Sequence, residues 1–236
     1  LATFLFVHGA FHGGWCFDLV RPLLEKEGHT VLTPTLSGVG ERAHLAALGS
    51  INLDTHIQDV VNMIEWNDLT DIILAGHSYG GMVITGVADQ IPERIASLVY
   101  LDAMTPNDGD TVFSLLPALL EPFTQFSAAH DGKLVAPFPA AGFGVGEEFQ
   151  AWVDSKLTLH PICCFTQAIR LTGKHKQVKQ RMMVYNSRDI GIPTPYPDDY
   201  EALRGKDGCH VYALAAGHDL MVDGAADLAT ILLKHV

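Results

Sequence analysis

Asp71 to Met82, DIILAGHSYGGM, is the stretch whose reading decides the fold of this chain. Ile72 to Ala75 make an apolar run of strand length, and Gly76-His77-Ser78-Tyr79-Gly80 is a G-x-S-x-G pattern, in which a buried strand turns sharply into a helix. Such a turn holds its central residue in a strained backbone conformation, so the positions on either side must lack a bulky Cβ substituent. Gly76 and Gly80 meet that need, and Ser78 is left with its hydroxyl exposed at the carboxyl end of the strand. Met82 to Asp89 continue as a helix that stops before Pro92. A purely structural glycine turn would use the same residue types. The flanking strand and helix favour the serine reading.

Working outward, Thr3 to Val7 (TFLFV) reads as a buried strand that feeds the glycine-dense loop His8 to Trp15. Backbone N–H groups in such a loop are free to face an anion, although a plain surface loop would look similar. Phe17, Val20, Leu23 and Leu24 form a helical stripe within Cys16 to Glu25, stopped by Gly28. Thr30 to Thr33 is a second strand, and Asn52 to Trp66 a helix with Asn52 or Asp54 as its cap. Ile95 to Leu101 is the strand after the elbow, ending in Asp102. This β-α-β-α-β-α-β order predicts an α/β fold with a mostly parallel sheet and helices on both faces.

From Ala103 to about Gln180 the alternation is lost among prolines and glycines, while aromatic residues stay frequent. The expectation is an inserted cap over residues 103–180, without strands, set into a core of residues 1–102 and 181–236. Its short pieces are Val112 to Leu120 and Phe149 to Leu159. The core resumes with a strand at Arg181 to Tyr185, a helix from about Asp198, a strand at His210 to Leu214, and a helix from about Ala225 to Lys234.

The 236 residues suffice for one sizeable core, and 48% of them are apolar. With 27 acidic against 15 basic residues the formal charge is −12, which argues against nucleic acid and anionic membranes as partners. No apolar stretch is long enough to span a bilayer. No signal-peptide pattern is visible at Leu1, although a trimmed start stays open. Cys16, Cys163, Cys164 and Cys209 show no paired spacing and read as reduced thiols of a cytoplasmic protein. The twelve histidines form no metal-binding motif, so neither a metal nor a cofactor is expected. A homodimer is compatible with the sequence, which carries no feature that decides the oligomeric state.

A serine hydroxyl needs a base within hydrogen-bond reach, itself oriented by a carboxylate, and in open α/β sheets such groups gather at the carboxyl ends of strands. His218, after the last strand, is the candidate base. Asp189, after RMMVYNSR, is the candidate orienting acid, and the order Ser78, Asp189, His218 is that of hydrolases built on this plan.

VHGAFHGGW (Val7 to Trp15), PLLEKEGHTVLTPTLSGVG (Pro22 to Gly40), AGHSYGGM, RDIGIP (Arg188 to Pro193) and AAGHDL together resemble the α/β-hydrolases. The likeness is to the branch holding plant methylesterases, hydroxynitrile lyases and related bacterial esterases. It implies a serine esterase acting on a small or medium ester without a cofactor, and a sheet of about six to eight strands. By the same resemblance the backbone N–H groups of Ala10 and Tyr79 form an oxyanion hole, and Gly9, Phe11 and Met221 are expected at the substrate pocket. Asp102 is the other candidate acid, since some members take it from the earlier strand. The RDIGIP context favours Asp189, leaving Asp102 to brace the loop that enters the cap. In the lyase members a threonine replaces Gly9, and a lysine that serves the cyanide leaving group replaces Asp219; an aspartate facing that place opposes anion binding, so the hydrolase reading is preferred. A cofactor-free lyase or oxygenase, and a non-hydrolytic binding protein, remain the alternatives on the same fold.

Overall fold

The structure, a computed structural model, describes residues 1–47, 51–188 and 194–236. In chain order its first elements are β1 (Thr3–Val7), α1 (Arg21–Lys26), β2 (Thr30–Leu32), α2 (Leu53–Trp66), β3 (Ile72–His77), α3 (Gly80–Gln90) and β4 (Ile95–Leu101). The segment that follows holds α4 (Val112–Leu115), α5 (Leu120–Ala128), β5 (Leu134–Val135), α6 (Glu147–Asp154), β6 (His160–Pro161) and α7 (Cys163–Thr166). The chain then completes its core with β7 (Gln180–Asn186), α8 (Tyr196–Glu201), β8 (Cys209–Leu214), α9 (Leu220–Asp223) and α10 (Ala225–Leu233).

The main sheet has six strands in the order β2-β1-β3-β4-β7-β8, and every pairing is parallel. Order reverses between β1 and its two neighbours, so right-handed crossovers put α1 and α2 on opposite faces. That reversal opens a crevice at the carboxyl ends of β1 and β3. β3 is buried along its whole length, as a strand covered on both faces must be. α2 begins on a reciprocal cap, with Asn52 Oδ1 accepting from Thr55 N at 3.0 Å and Thr55 Oγ1 accepting from Asn52 N at 3.3 Å. It packs so closely on α3 that a Cβ on Gly86 would lie 2.3 Å from Ile57 Cδ1.

Two expectations need correction. The stripe over residues 16–25 is split into a 3₁₀ turn at Gly14–Phe17 and the shorter α1, because Pro22 lacks the N–H that a continuous helix would need there. The segment expected to lack strands contains one small antiparallel pair, β5 with β6, at Leu134 with Pro161 and Val135 with His160. No helix among the described residues is long and apolar enough to cross a membrane.

Asp89, near the end of α3, ties the return of the intervening segment to the core. Its Oδ2 accepts from Thr172 N at 2.6 Å and Thr172 Oγ1 at 2.9 Å, while Oδ1 accepts from Gly173 N at 2.9 Å and His175 Nδ1 at 2.9 Å. Burial opposes ionisation of Asp89, but the hydrogen bonds from Thr172 and His175 outweigh it and hold the carboxyl well below its usual range. Asp89→Ala is expected to lower stability by roughly 3 kcal/mol, since several charge-assisted bonds vanish together. Because the folded carboxyl is the stronger acid, its contribution is present above the unfolded value of about 4 and fades as pH falls below it. Thermal melts of both proteins from pH 7 to pH 3 should show a gap that narrows on acidification.

Candidate active site

Ser78 leaves β3 with φ 52°, the left-handed conformation that a G-x-S-x-G turn requires. Its surroundings account for the glycines. A Cβ on Gly76 would lie 2.6 Å from Gly80 O, one on Gly80 would lie 2.6 Å from Val7 O, and one on Gly81 would lie 2.0 Å from Met104 O. The Ser78 carbonyl accepts from Gly81 N at 3.0 Å and Met104 N at 3.1 Å, so the turn is gripped by its own helix and by the chain leaving β4.

β4 ends in the same manner, with Asp102 at φ 46°. The Asp102 carboxylate is fully buried, and three donors converge on it. Asn186 N reaches Oδ1 at 3.1 Å, Asn186 Nδ2 reaches Oδ2 at 2.7 Å, and His218 Nδ1 donates to Oδ2 at 2.6 Å. The carboxylate bonded to His218 is Asp102, whereas the sequence points to Asp189. Asp189 itself lies outside the described residues. At the end of β7 stands Asn186, which supplies donors to the carboxylate. Desolvation opposes charging of His218, but the hydrogen bond and charge of Asp102 outweigh it and raise the imidazole above its ordinary value.

Phe143, from the segment between β4 and β7, braces the same loop. Its carbonyl accepts from His218 N at 2.9 Å and its ring stacks on the imidazole with centroids 6.0 Å apart. In the stretch Gly142 to Gly146 (GFGVG), Arg188 donates to Gly144 O while Gly146 N donates to Asp223 Oδ1 at 2.8 Å. Asp223 also binds Arg188 Nη2 at 2.8 Å and Gly217 N at 3.2 Å. The stretch is thus clasped onto the loop that carries His218.

A pocket opens over Ser78, and Ala10, Phe11, Tyr79 and His218 all line it. Its far wall is aromatic and aliphatic, with Phe123, Phe138, Phe165, Leu116 and Tyr196, and no Asp, Glu, Lys or Arg among the described residues faces it. The N–H groups of Ala10 and Tyr79 make no backbone hydrogen bond among the described residues, which leaves them available to an anion. The Tyr79 side chain is turned into the core, where its hydroxyl donates to His56 Nδ1 at 2.9 Å and His56 Nε2 donates to Ser37 O at 2.8 Å. Of the three residues expected at the pocket, Phe11 lines it. Gly9 instead backs the serine, with a Cβ there only 3.0 Å from Ser78 Cβ, and Met221 is buried in α9 away from the lining.

Asp219 also departs from expectation, since it is fully buried and does not line the pocket. Its Oδ2 lies 3.1 Å from His12 Nε2. Burial opposes its ionisation, but the charge and hydrogen bond of His12 prevail and bring the carboxyl down to about 2. The contrast with the lyases therefore rests on the absence of a lysine from the described lining, and not on repulsion by Asp219.

One group of potential metal ligands exists among the described residues: His56, His160 and Cys164, with ligand atoms within 4.8 Å of one another. Both nitrogens of His56 are already bonded, and burial pushes the Cys164 thiol far up, away from the thiolate that binds metals. The donor set does not fit a cation.

The pattern of the alpha/beta hydrolase family matches residues 4–231. A "Carbendazim hydrolyzing esterase" from Nocardioides sp. (strain SG-4G) is 44% identical over 238 residues, covering 97% of each chain. Among solved structures, an extracellular alpha/beta-hydrolase from a Paenibacillus species, described as sharing structural and functional homology with tobacco salicylic acid binding protein 2, superposes with a TM-score of 0.86. It is 27% identical and covers 99% of this chain and 98% of its own. A methylesterase from Arabidopsis superposes with a TM-score of 0.79 at 20% identity, covering 99% of this chain and 98% of its own, a likeness of fold.

The Asp102 contact sets a sign that NMR can read. The His218 ring should titrate above the ordinary histidine value of 6.5, and Asp102→Asn should bring the midpoint down, because burial is then opposed only by the smaller contribution of the Asp219 charge. A midpoint that does not move would show that Asp102 does not hold the ring in solution.

Proposed function

Since this chain belongs to the α/β hydrolase family and is a carboxylic ester hydrolase, we propose that Ser78, His218 and Asp102 carry its chemistry through an acyl-enzyme. The observation that carries this reading is the 2.6 Å bond between His218 and Asp102 beside a serine held at φ 52°. Ser78 Oγ attacks the ester carbonyl as His218 Nε2 takes its proton. The carbonyl oxygen gathers negative charge and is met by the N–H groups of Ala10 and Tyr79. His218 then passes the proton to the departing alcohol. Water, activated by the same imidazole, cleaves the acyl-serine and releases the acid. Asp102 orients the ring and stabilises the imidazolium, and Asn186 keeps the carboxylate aimed.

The uncharged, phenylalanine-rich wall suits a neutral ester with a flat apolar part, because a charged group would enter without a counter-ion. The relative named for carbendazim makes that compound the first to assay. Residues 103–180 serve as the cap that excludes water from the pocket. The four free cysteines support a reducing compartment, the cytoplasm.

Ser78→Ala should lower kcat on a short-chain nitrophenyl ester on the order of 10³-fold or more, with an unchanged melting temperature. Asp102→Asn should lower kcat by roughly 10²- to 10⁴-fold through the wrong histidine tautomer, with KM kept near wild type. Asp189→Asn is expected to stay within a few-fold. A dead Asp189→Asn beside an active Asp102→Asn would return the acid to the later strand.

A further inference from the structure

Buried histidines surround the loop after β1, and the acyl-transfer steps leave them without a role. Ala10 is the residue whose N–H is assigned to the oxyanion, and it lies between two peptide units. The first, Gly9–Ala10, carries that N–H. Its carbonyl, Gly9 O, accepts from His8 Nδ1 at 2.8 Å, while His8 Nε2 accepts from Leu36 N at 3.0 Å. Because the peptide is planar and trans, holding the carbonyl fixes where the N–H points on the other side.

The second unit, Ala10–Phe11, is held at both ends. Ala10 O accepts from His12 Nδ1 at 2.7 Å, and Phe11 N donates to His160 Nδ1 at 3.1 Å. Phe11 then adopts φ 70°, a conformation an aromatic residue rarely takes unless its surroundings impose it. Its carbonyl accepts from Thr158 N at 3.0 Å, so the segment between β4 and β7 contributes two of these grips.

Each ring has the hydrogen-bonding form its task needs. His8 must donate at one nitrogen and accept at the other, as only a neutral imidazole can, and burial brings it down to about 3. His160 accepts through Nδ1, and burial also holds it neutral. His12 has an oxygen partner at each nitrogen, Ala10 O at Nδ1 and Asp219 Oδ2 at Nε2. Asp219 directly follows His218 in the chain. His12 therefore links the loop bearing the oxyanion donor to the loop bearing the base.

We propose that His8, His12 and His160 are positioning residues for ester cleavage, fixing the two peptide units around Ala10 so that its N–H meets the oxyanion. The inference rests on the reading of Ala10 as an oxyanion donor. A ring that merely fills space would affect melting alone. A ring that aims a donor affects kcat, and affinity for a tetrahedral mimic, far more than KM.

The test uses the whole enzyme and replacements that keep or lose one atom's function. Asn places an amide near the imidazole Nδ1, so His160→Asn retains an acceptor for Phe11 N, and His160→Leu removes it at similar bulk. His160→Asn should stay within a few-fold of wild type. His160→Leu should lose on the order of 10²-fold in kcat, with KM nearly unchanged and phenylboronic acid bound more weakly by a comparable factor. Equal kcat and boronate affinity in the two variants would overturn the proposal.

If His160→Leu does not fold, His12 decides within an Asp219→Asn background, which removes the buried carboxylate. His12→Asn keeps the donor to Ala10 O, and His12→Gln reaches only toward residue 219. The Asn form should be faster by roughly tenfold, and equal or reversed rates would overturn the inference. Mass location of a fluorophosphonate adduct in the wild type keeps the two questions apart. An adduct away from Ser78 would defeat the acyl-enzyme reading itself, whereas an adduct on Ser78 with indifferent histidine variants would defeat only the positioning role.

Discussion

Backbone passes within contact distance of backbone where β3 becomes α3, and the site depends on that close approach. Side chains at residues 76, 80 and 81 would each collide with a carbonyl of the chain beside them: Gly80 O, Val7 O and Met104 O. Three neighbouring segments are thereby drawn onto one turn, namely α3, the end of β1 and the chain leaving β4. Ser78 is kept at φ 52° because the chain around it has nowhere to relax. A strained residue persists only when its neighbours over-determine it, and here they also carry the Ala10 loop and Asp102.

Charge is distributed around that turn with the same economy. His8, His56, His77 and His160 are buried and held neutral by desolvation, so they act as fixed hydrogen-bonding groups. His218 differs because a carboxylate touches it, and its imidazole is raised instead. Two buried acids are each matched to a histidine, Asp102 to His218 and Asp219 to His12. Each pair presents its ring to the pocket, His218 or His12, and keeps its carboxylate out of the lining. An unpaired carboxylate at either place would be a buried charge without compensation, which proteins avoid.

The place of Asp102 beside His218 follows from the geometry of adjacent strands. β4 and β7 are neighbours, so the residues ending them, Asp102 and Asn186, stand side by side, and either position could present a carboxylate to a histidine arriving from β8. In this chain the carboxylate is on the earlier strand and the amide is on the later one. The amide is then the natural partner, since it offers a donor to an oxygen that the histidine also uses. The loop after β4 leaves Asp102 through its own left-handed turn and is tied by Tyr200, whose hydroxyl accepts from Ala103 N at 2.9 Å.

Strand and helix order, the elbow at Ser78 and the glycine-dense loop after β1 could be read from the sequence because each is encoded locally. Apolar runs define buried strands, Asn52 with Thr55 encodes the start of α2, and glycines on both sides of Ser78 encode its turn. Choosing between Asp102 and Asp189 was not a local matter. It required knowing which carboxylate stands beside His218 Nδ1, a distance set by the pairing of β4 with β7 and by residues 116 positions apart in the chain. Likewise, Asp219 looked like a charge facing substrate until burial and His12 placed it behind the site, and Met221 looked like a pocket residue until α9 turned it into the core. The histidines around Ala10 were visible as residues but not as a group, because His8, His12 and His160 meet only when β6 is brought over the end of β1. Contacts between distant segments are decided by packing, and packing is a property of the folded chain.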